Sequence, residues 1–317
     1  MERRRGEKVA ARMIRLTTAT ALVFALTTSN AAAQELEPGA YQNAPVGVNV
    51  FIAGYGYSTG NVLVDATLPV EGAKAQIHSV AIGYLRTIDL FGRAGKFDVI
   101  IPLSSAHFEG VVAGEFRTRD PKGLADPRVR LSVNFVGSPA LDLPEFVRYR
   151  QRTILGASVQ VTVPLGQYDG ERLVNLGANR WAFRPELGIS QAYGRWVFEG
   201  GAGVWVFTDN DEYFGGSTLV QRPLYFVKGN AIYSFRRNLW TSFSYGRATG
   251  GETELDGLFR NDLQRNDRIA TTLALPAGRI GTVRFVYTSG LTTRLGADFD
   301  SISVTYQYSW GPKPARK

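Results

Sequence analysis

Side chains that could act as catalysts are few in this chain of 317 residues. It has no cysteine and two histidines, His78 and His107, so thiol nucleophiles, disulfides and thiolate metal sites are excluded. His107 follows Ser104 and Ser105 and precedes Glu109. Serine, histidine and an acidic group are the residue types of a hydrolase site, so this stretch is the one candidate for nucleophilic catalysis.

Neither histidine is placed for catalysis by its spacing alone. Nucleophilic catalysis needs serine and histidine within about 3 Å of each other and a third, orienting group. His78 adjoins Ser79, but neighbours on a strand face opposite ways, so this pair cannot act together. His107 lies where a predicted strand passes into a loop. We therefore predict a protein that is not an enzyme, with a lipid-active hydrolase that uses His107 as an alternative.

Two further patterns are typical of ligand sites. The acidic run Thr208–Glu212 could offer oxygen ligands to Ca²⁺, but it lacks the glycine and the distal glutamate of a calcium-binding loop. Gly200–Gly203 is rich in glycine, but no helix follows it, so it does not resemble a phosphate-binding loop. We predict a solvated acidic loop, no metal site and no cofactor.

The elements that would position these side chains are strands of period two. We predict strands near 47–57, 77–90, 96–105, 126–136, 152–164, 181–191, 196–207, 223–235, 239–249, 267–276, 281–290 and 299–310. Every second connection is brief, whereas the others are long and polar, apart from 137–151, where Leu143–Arg150 is expected to form one or two helical turns. An even number of strands with this alternation predicts an all-β fold: a transmembrane antiparallel up-and-down β-barrel of about 12 strands, with short periplasmic turns and long extracellular loops.

Most predicted strands have one apolar and one polar face. A closed barrel is the only sheet that satisfies its backbone hydrogen bonds in lipid, so the apolar face is assigned to lipid and the polar face to the lumen. Val48–Tyr57 and Ile77–Leu90 are apolar on both faces and stay unoriented. Aromatic residues at strand ends predict the girdles found at both membrane interfaces, and the tryptophans assigned to them are Trp181, Trp196, Trp240 and Trp310.

The polar faces carry charges that could act on a solute. The charged residues predicted to line the lumen and the solute path are Arg128, Arg130, Arg184, Glu186, Glu199, Lys228, Arg268 and Arg284, together with Asp98. A ring of charges in a pore selects solutes. The same charges could instead pair with each other and fill the lumen, since twelve strands lie between the filled eight-stranded barrels and the open porins. Both interpretations remain open.

The N-terminus has a different composition. A basic stretch, Arg3–Arg15, precedes a short apolar run, Leu16–Thr28, and then Ala31–Ala33, which is the layout of a cleaved secretory signal. The predicted organisation is a signal peptide at 1–33, a periplasmic lead-in at 34–46, the barrel at 47–310 and a tail at 311–317. Cleavage would remove six Lys or Arg and two Asp or Glu and lower the net charge from +8 to +4, so no nucleic acid is expected as a partner.

Several segments resemble a known family. Gly123–Arg130 is similar to its G-L-x-D-x-R-x-R strand, and the other segments that carry the resemblance are Tyr149–Gln151, Val163–Asp169, Leu176–Trp181 and Thr208–Gly216. The family is that of the outer-membrane "putative MetA-pathway of phenol degradation" proteins, and the resemblance covers roughly residues 45–311. It implies a transporter-like outer-membrane barrel that admits aromatic or other hydrophobic compounds, and it supplies no catalytic residue.

The expected function is therefore passive uptake of small solutes, aromatic or hydrophobic ones among them, across the outer membrane of a Gram-negative cell. The expected partners are outer-membrane lipid and lipopolysaccharide, the barrel assembly machinery and the small-molecule solute. A plugged structural barrel that binds partners through the loops at 208–222 and 250–266 is the alternative outside transport.

Overall fold

The computed structural model describes residues 36–63, 70–112, 114–172, 174–236, 238–278 and 280–311. The predicted signal peptide and almost all of the predicted tail lie outside these residues. The elements of the described chain are β1 (Asn49–Leu63), β2 (Val70–Leu90), β3 (Arg93–Val112), β4 (Glu115–Arg119), β5 (Lys122–Leu124), β6 (Arg128–Val136), α1 (Leu143–Arg148), β7 (Thr153–Thr162), β8 (Ala182–Tyr193), β9 (Trp196–Phe207), β10 (Asn210–Tyr213), β11 (Ser217–Gln221), β12 (Leu224–Arg236), β13 (Leu239–Gly250), β14 (Thr253–Leu255), β15 (Leu258–Phe259), β16 (Gln264–Ala277), β17 (Gly281–Thr293) and β18 (Gly296–Trp310).

Twelve of the strands in the described residues form one closed antiparallel barrel. Their order around the barrel is β1, β2, β3, β6, β7, β8, β9, β12, β13, β16, β17 and β18, and β18 pairs with β1 to close it. Each strand pairs with its neighbour in the sequence of barrel strands, so the up-and-down topology with twelve strands is confirmed. Closure leaves no unpaired strand edge, which is what a sheet in lipid requires.

The extracellular ends differ from the prediction in length. The strands β1 and β2 extend far into the predicted loop 58–76, and only Arg294–Leu295 separates β17 from β18, where a loop at 291–298 was predicted. These strand ends continue the ladder beyond the apolar part of each strand, so the change of hydropathy marked the end of the lipid-facing band and not the end of the strand. The loops after β9 and β13 also pair with each other, as a four-stranded sheet of β10, β11, β14 and β15.

The periplasmic side has short turns, as predicted, and the helical turn in the longest of its connections is confirmed. Asp142 caps α1, because its carboxylate accepts the backbone N–H of Glu145 while the Glu145 carboxylate accepts that of Asp142. This capping box satisfies two donors that a helix start leaves free. No helix among the described residues has the length and apolar character needed to cross a membrane.

Side chains alternate between lipid and lumen along every barrel strand. The register shows which face of β1 and of β2, the two strands that the sequence left unoriented, points into the lumen. In β1, Phe51 and Tyr55 are exposed on the outer surface, so Val50, Ile52 and Gly54 face the lumen. The same alternation places Ala81, Gly83 and Leu85 of β2 inward, and all six line the lumenal cavity described below. This part of the lumen wall is therefore apolar.

The four tryptophans assigned to the girdle do not all face outward. Trp181, Trp196 and Trp310 are exposed on the outer surface near strand ends. Trp240 instead pairs with Ala274, which is fully buried on the lumen face, so Trp240 faces the lumen and its assignment to the girdle is wrong. Trp240 lies next to a turn, as a girdle residue would. Only the alternation of side chains along the strand shows that it faces the lumen and not the lipid.

Candidate functional site

All eight predicted lumen charges lie on barrel strands with their side chains on the inner face. Arg184 and Glu186 of β8, Glu199 of β9, Lys228 of β12 and Arg268 of β16 are buried. Arg128 and Arg130 of β6 alternate with the outward-facing Leu131, and Arg284 of β17 alternates with the outward-facing Phe285. Their common face follows from the alternation visible in the sequence, because a strand has a side-chain period of two.

Four of these charges lie on three consecutive barrel strands. Lys228 Nζ lies 2.9 Å from Glu186 Oε1, and Arg184 Nη2 lies 3.8 Å from Glu186 Oε2. The Arg184 guanidinium also lies over the rings of Trp205 and Phe226, 5.4 and 5.7 Å from their centroids. A buried carboxylate between two cations is held in one geometry, so this wall of the lumen is rigid and internally neutralised.

The segment that precedes β1 occupies the lumen, which the sequence did not predict. Leu36–Val46, called here the N-terminal segment, was expected to be a periplasmic lead-in. It instead enters the barrel from the periplasmic end, where the hydroxyl of Thr87 donates to Pro45 O at 2.6 Å and Val46 N donates to Leu141 O at 2.8 Å. The lumenal charges provide its partners, so the lead-in assignment is corrected to an inserted segment.

Tyr41 anchors the N-terminal segment in a slot formed by two glycines. Gly156 of β7 and Gly188 of β8 are direct register partners on the lumen face. A Cβ on Gly188 would lie 2.1 Å from Tyr41 Cε2, and one on Gly156 would lie 2.6 Å from Tyr41 Cδ1. The buried Tyr41 hydroxyl donates to Glu186 Oε1 at 2.7 Å. Only glycine at both wall positions leaves room for the ring.

Further contacts join the segment to the predicted lumen charges. Glu37 forms an ion pair with Arg130, whose Nε also donates to Asp98 Oδ2 at 2.9 Å. The backbone N–H of Gly39 donates to Glu199 Oε2 at 2.7 Å. The half of the lumen lined by β6, β7, β8, β9 and β12 is therefore occupied by the N-terminal segment.

Lys96 is a lumenal residue that the sequence analysis missed. Its Nζ donates to Ala40 O of the N-terminal segment at 2.8 Å. Lys96 lies two residues before Asp98, which was assigned to the lumen, so the same alternation would have found it.

A cavity of about 520 Å³ lies between the N-terminal segment and the opposite wall. It extends from the periplasmic end of the barrel, at Val48 and Ser309, to its middle, at Gly54 and Thr272. Small and aliphatic side chains of β1, β2 and β3 form one side of it. Hydroxyl and amide groups of β16 and β18 and the guanidinium of Arg284 form another side. The free part of the lumen is thus amphipathic.

An apolar cluster lies in the extracellular half of the barrel. Val174, from the loop between β7 and β8, packs among lumen-facing side chains of β1, β2, β3 and β18, and the members of the cluster are Val62, Ala73, Ala75, Ile77, Ala106, Phe108, Val174, Ala297 and Phe299. A constriction lined by apolar side chains excludes hydrated ions by dewetting. The outer part of the lumen is therefore lined by apolar side chains.

Asp126, the acidic residue of the G-L-x-D-x-R-x-R segment, holds this loop in place. Its two carboxylate oxygens accept the backbone N–H groups of Gly166 and Ala178, each at 2.8 Å. Burial raises the pKa of Asp126 above its ordinary value, against the lowering effect of these two hydrogen bonds and of Arg180. The motif residue is therefore a loop anchor.

The two histidines lie on the outer face of the barrel, and each makes its short polar contact with a residue other than serine. His107 Nδ1 lies 2.6 Å from Asp120 Oδ1, and His78 Nδ1 lies 2.7 Å from the hydroxyl oxygen of Tyr55. Ser79 faces the lumen, where its hydroxyl lies 3.0 Å from that of Ser104. Within the part of the chain that the structure describes, no three His, Cys, Asp or Glu side chains are grouped as metal ligands would be.

The family model described as "Putative MetA-pathway of phenol degradation" matches residues 40–275. The chain belongs to this family. The matched region begins within the N-terminal segment, at the residue before Tyr41, and ends near the last residue of β16. Family membership therefore covers Tyr41, both glycines of its slot and the G-L-x-D-x-R-x-R segment.

Solved structures share the fold. The COG4313 outer membrane channel from Pseudomonas putida F1 has a TM-score of 0.74 and 19% identity, over 87% of this chain and 100% of that one. The transport unit of the autotransporter AIDA-I from Escherichia coli has a TM-score of 0.51 and 10% identity, over 92% and 99%. At such identities the likeness shows the barrel fold alone. No curated protein sequence matches the chain.

Proposed function

We propose that the protein is an outer-membrane channel that passes small solutes passively, with a preference for aromatic and other apolar compounds. The observation that carries this proposal is the cavity of about 520 Å³ beside the apolar wall of β1 and β2. Support comes from family membership and from the channel described for the structure from Pseudomonas putida F1.

The mechanism follows from the apolar cluster and the cavity. A solute that enters from outside meets the apolar cluster around Val174, which an apolar molecule enters more easily than a hydrated ion does. It then reaches the cavity, whose aliphatic wall replaces the water it has lost. Glu186, Lys228 and Arg184 pair with each other behind the N-terminal segment, so the charges first expected to line the path are mostly covered.

Reconstitution tests the proposal directly. Purified protein in liposomes is expected to pass benzamide, a small neutral aromatic solute, faster than an uncharged sugar of similar size, and to show a low ion conductance in a planar bilayer. The Val174→Asp variant should show a lower benzamide flux, because a charge in the apolar cluster costs several kcal/mol to desolvate. Absence of benzamide flux above that of protein-free liposomes would refute the channel.

A plugged barrel that binds partners at its surface is the second candidate, and one observation favours it. The loops after β9 and β13 form the ordered sheet of β10, β11, β14 and β15, where a channel alone would need only short connections. The same liposome assay separates the two functions, since a plugged barrel passes neither solute. The hydrolase alternative gains no support from the polar contacts of His107, which are with Glu109 and Asp120.

A further inference from the structure

Arg284 forms no ion pair with an acidic side chain among the described residues, whereas three other cations of the inner lumen do. Arg130 and Lys228 each lie 2.9 Å from a carboxylate oxygen, and Arg184 lies 3.8 Å from one. The Arg284 guanidinium instead lies over the ring of Trp240, 5.2 Å from its centroid, and its Nε is buried without a hydrogen-bond partner. A cation–π contact orients a guanidinium but leaves its charge unneutralised.

The register around the barrel places this cation at one end of a graded row of side chains. Arg284 is the direct partner of Thr305, Thr305 of Gly54, and Gly54 of Ala81. All four line the cavity. Neighbouring strands lie about 4.8 Å apart, so Gly54 is two strands, or about 10 Å, from Arg284 along the wall. Over that distance the wall changes from a cation, through a hydroxyl group, to glycine and alanine.

Aliphatic side chains complete the apolar end of the row. Ile52 and Ile100 line the cavity beside Ala81, and Val286 lines it beside Arg284. The volume of about 520 Å³ falls within the range of about 300–1,000 Å³ found for small-molecule pockets, which are mostly apolar with a few polar groups. Such a cavity matches a solute that has one anionic group and an apolar body.

The anionic group is best supplied by a carboxylate. A guanidinium donates two parallel N–H bonds to the two oxygens of a carboxylate, which is the strongest pairing available to it. A small inorganic anion would gain the same charge contact but would have to lose its hydration against Ile52 and Ile100, with nothing to replace it. The apolar wall therefore selects a carboxylate that carries its own hydrophobic group.

We propose that this cavity is a binding site for small aryl or branched-alkyl monocarboxylates, with the carboxylate on Arg284 and the apolar body against Ile52, Gly54, Ala81 and Ile100. The inference deepens the channel function and rests on it for its physiological role, because a site half-way through the barrel serves a solute in passage. Glu37 of the N-terminal segment acts electrostatically on Arg284 and lines the same cavity. The carboxylate of a bound solute therefore competes with the Glu37 carboxylate for Arg284.

Benzoate and its neutral analogue benzamide provide the test, with the purified full-length protein and calorimetric titration. Benzoate is expected to bind at least tenfold more tightly than benzamide. Arg284→Gln should weaken benzoate binding about ten- to a hundredfold, the effect of losing hydrogen bonds to a charged group, and should leave benzamide binding unchanged. Arg247→Gln is the matched control, because it removes the same charge from an exposed residue on the outer face and should change neither affinity.

Equal affinity of the unmodified protein for benzoate and benzamide would overturn the proposal even if Arg284→Gln failed to fold, as would unchanged benzoate binding in a folded Arg284→Gln. Ala81→Phe, which fills the apolar end of the row, should weaken both ligands, and tight benzoate binding to it would also contradict the assigned pose. Benzamide flux in liposomes keeps the two proposals apart. Flux without Arg284-dependent binding refutes the site alone, whereas Arg284-dependent binding without flux refutes the channel alone.

Discussion

Tyr41→Ala should release the N-terminal segment from the lumen. The substitution removes a ring that occupies the slot between Gly156 and Gly188, together with its hydrogen bond to Glu186. Truncation of a buried aromatic side chain costs about 3–5 kcal/mol. Glu186 keeps its ion pair with Lys228, so no orphaned charge adds to the cost or disturbs the wall. The equilibrium between inserted and released segment should therefore move about 10²- to 10⁴-fold towards release.

Hydrogen exchange of the backbone amides measures this equilibrium. The Gly39 N–H donates to Glu199 and the Gln42 N–H donates to Gly39 O, so both exchange only when the segment leaves or frays. Their exchange rates in the purified protein should rise by the factor of 10² to 10⁴. Tyr41→Phe loses only the hydrogen bond to a charged group, about 1.5–3 kcal/mol, and should give a rise of about 10- to 100-fold.

A larger residue in the barrel wall should also exclude the Tyr41 ring from its slot. A Cβ on Gly188 would overlap the Tyr41 ring, so Gly188→Ala should accelerate exchange in the segment as Tyr41→Ala does. Gly200→Ala is the matched control, because a Cβ there meets nothing closer than 3.4 Å, and it should have no effect. Exchange in Tyr41→Ala that stays within threefold of the unmodified protein would refute the anchoring role of the ring.

Three other predictions concern the remaining contacts. Arg130→Gln removes the cation that pairs with Glu37 and with Asp98, at about 3–5 kcal/mol for breaking a buried ion pair, so hydrogen exchange at the start of the segment should accelerate. Asp126→Ala orphans two backbone N–H groups and should destabilise the loop after β7 by about 1–3 kcal/mol, seen as faster proteolysis there than in the unmodified barrel. Leu187→Arg places a charge on the outward face in the middle of β8. A urea titration in lipid should show that this variant destabilises the barrel by about 2–4 kcal/mol. Gln191→Arg lies nearer the end of the same face and should destabilise the barrel by at most about 1 kcal/mol.

The barrel could be predicted because alternation and turn chemistry are local. Arg184 and Glu186 alternate with Phe183 and Pro185, and this period fixes which face each residue lies on. Trp240 shows the limit, because a tryptophan beside a turn fits either face equally well by composition. Its place over Arg284 depends on the register with β16, which is a non-local property.

The inserted segment could not be predicted from its own composition. Leu36–Val46 is short and polar with Pro38 and Pro45, as linkers often are. The information lies elsewhere, in Gly156 and Gly188, which are 32 positions apart in the sequence and become partners only when β7 and β8 pair. Two glycines on the lumen face of neighbouring strands suggest that something packs there, but the sequence does not say which side chain.

The segment also changes what the lumen presents to a solute. Eight inward charges predict a passage that selects by charge, yet the inserted Tyr41 and Glu37 cover or pair with most of those on β6 to β12. The strands β1 and β2, whose lack of charge left their orientation unreadable in the sequence, stay uncovered and line the cavity with apolar side chains. The N-terminal segment therefore covers most of the lumenal charges, while Arg284 lines the cavity without an ion pair among the described residues. Release of the segment should widen the passage and also expose Glu186 and Glu199 to the solute.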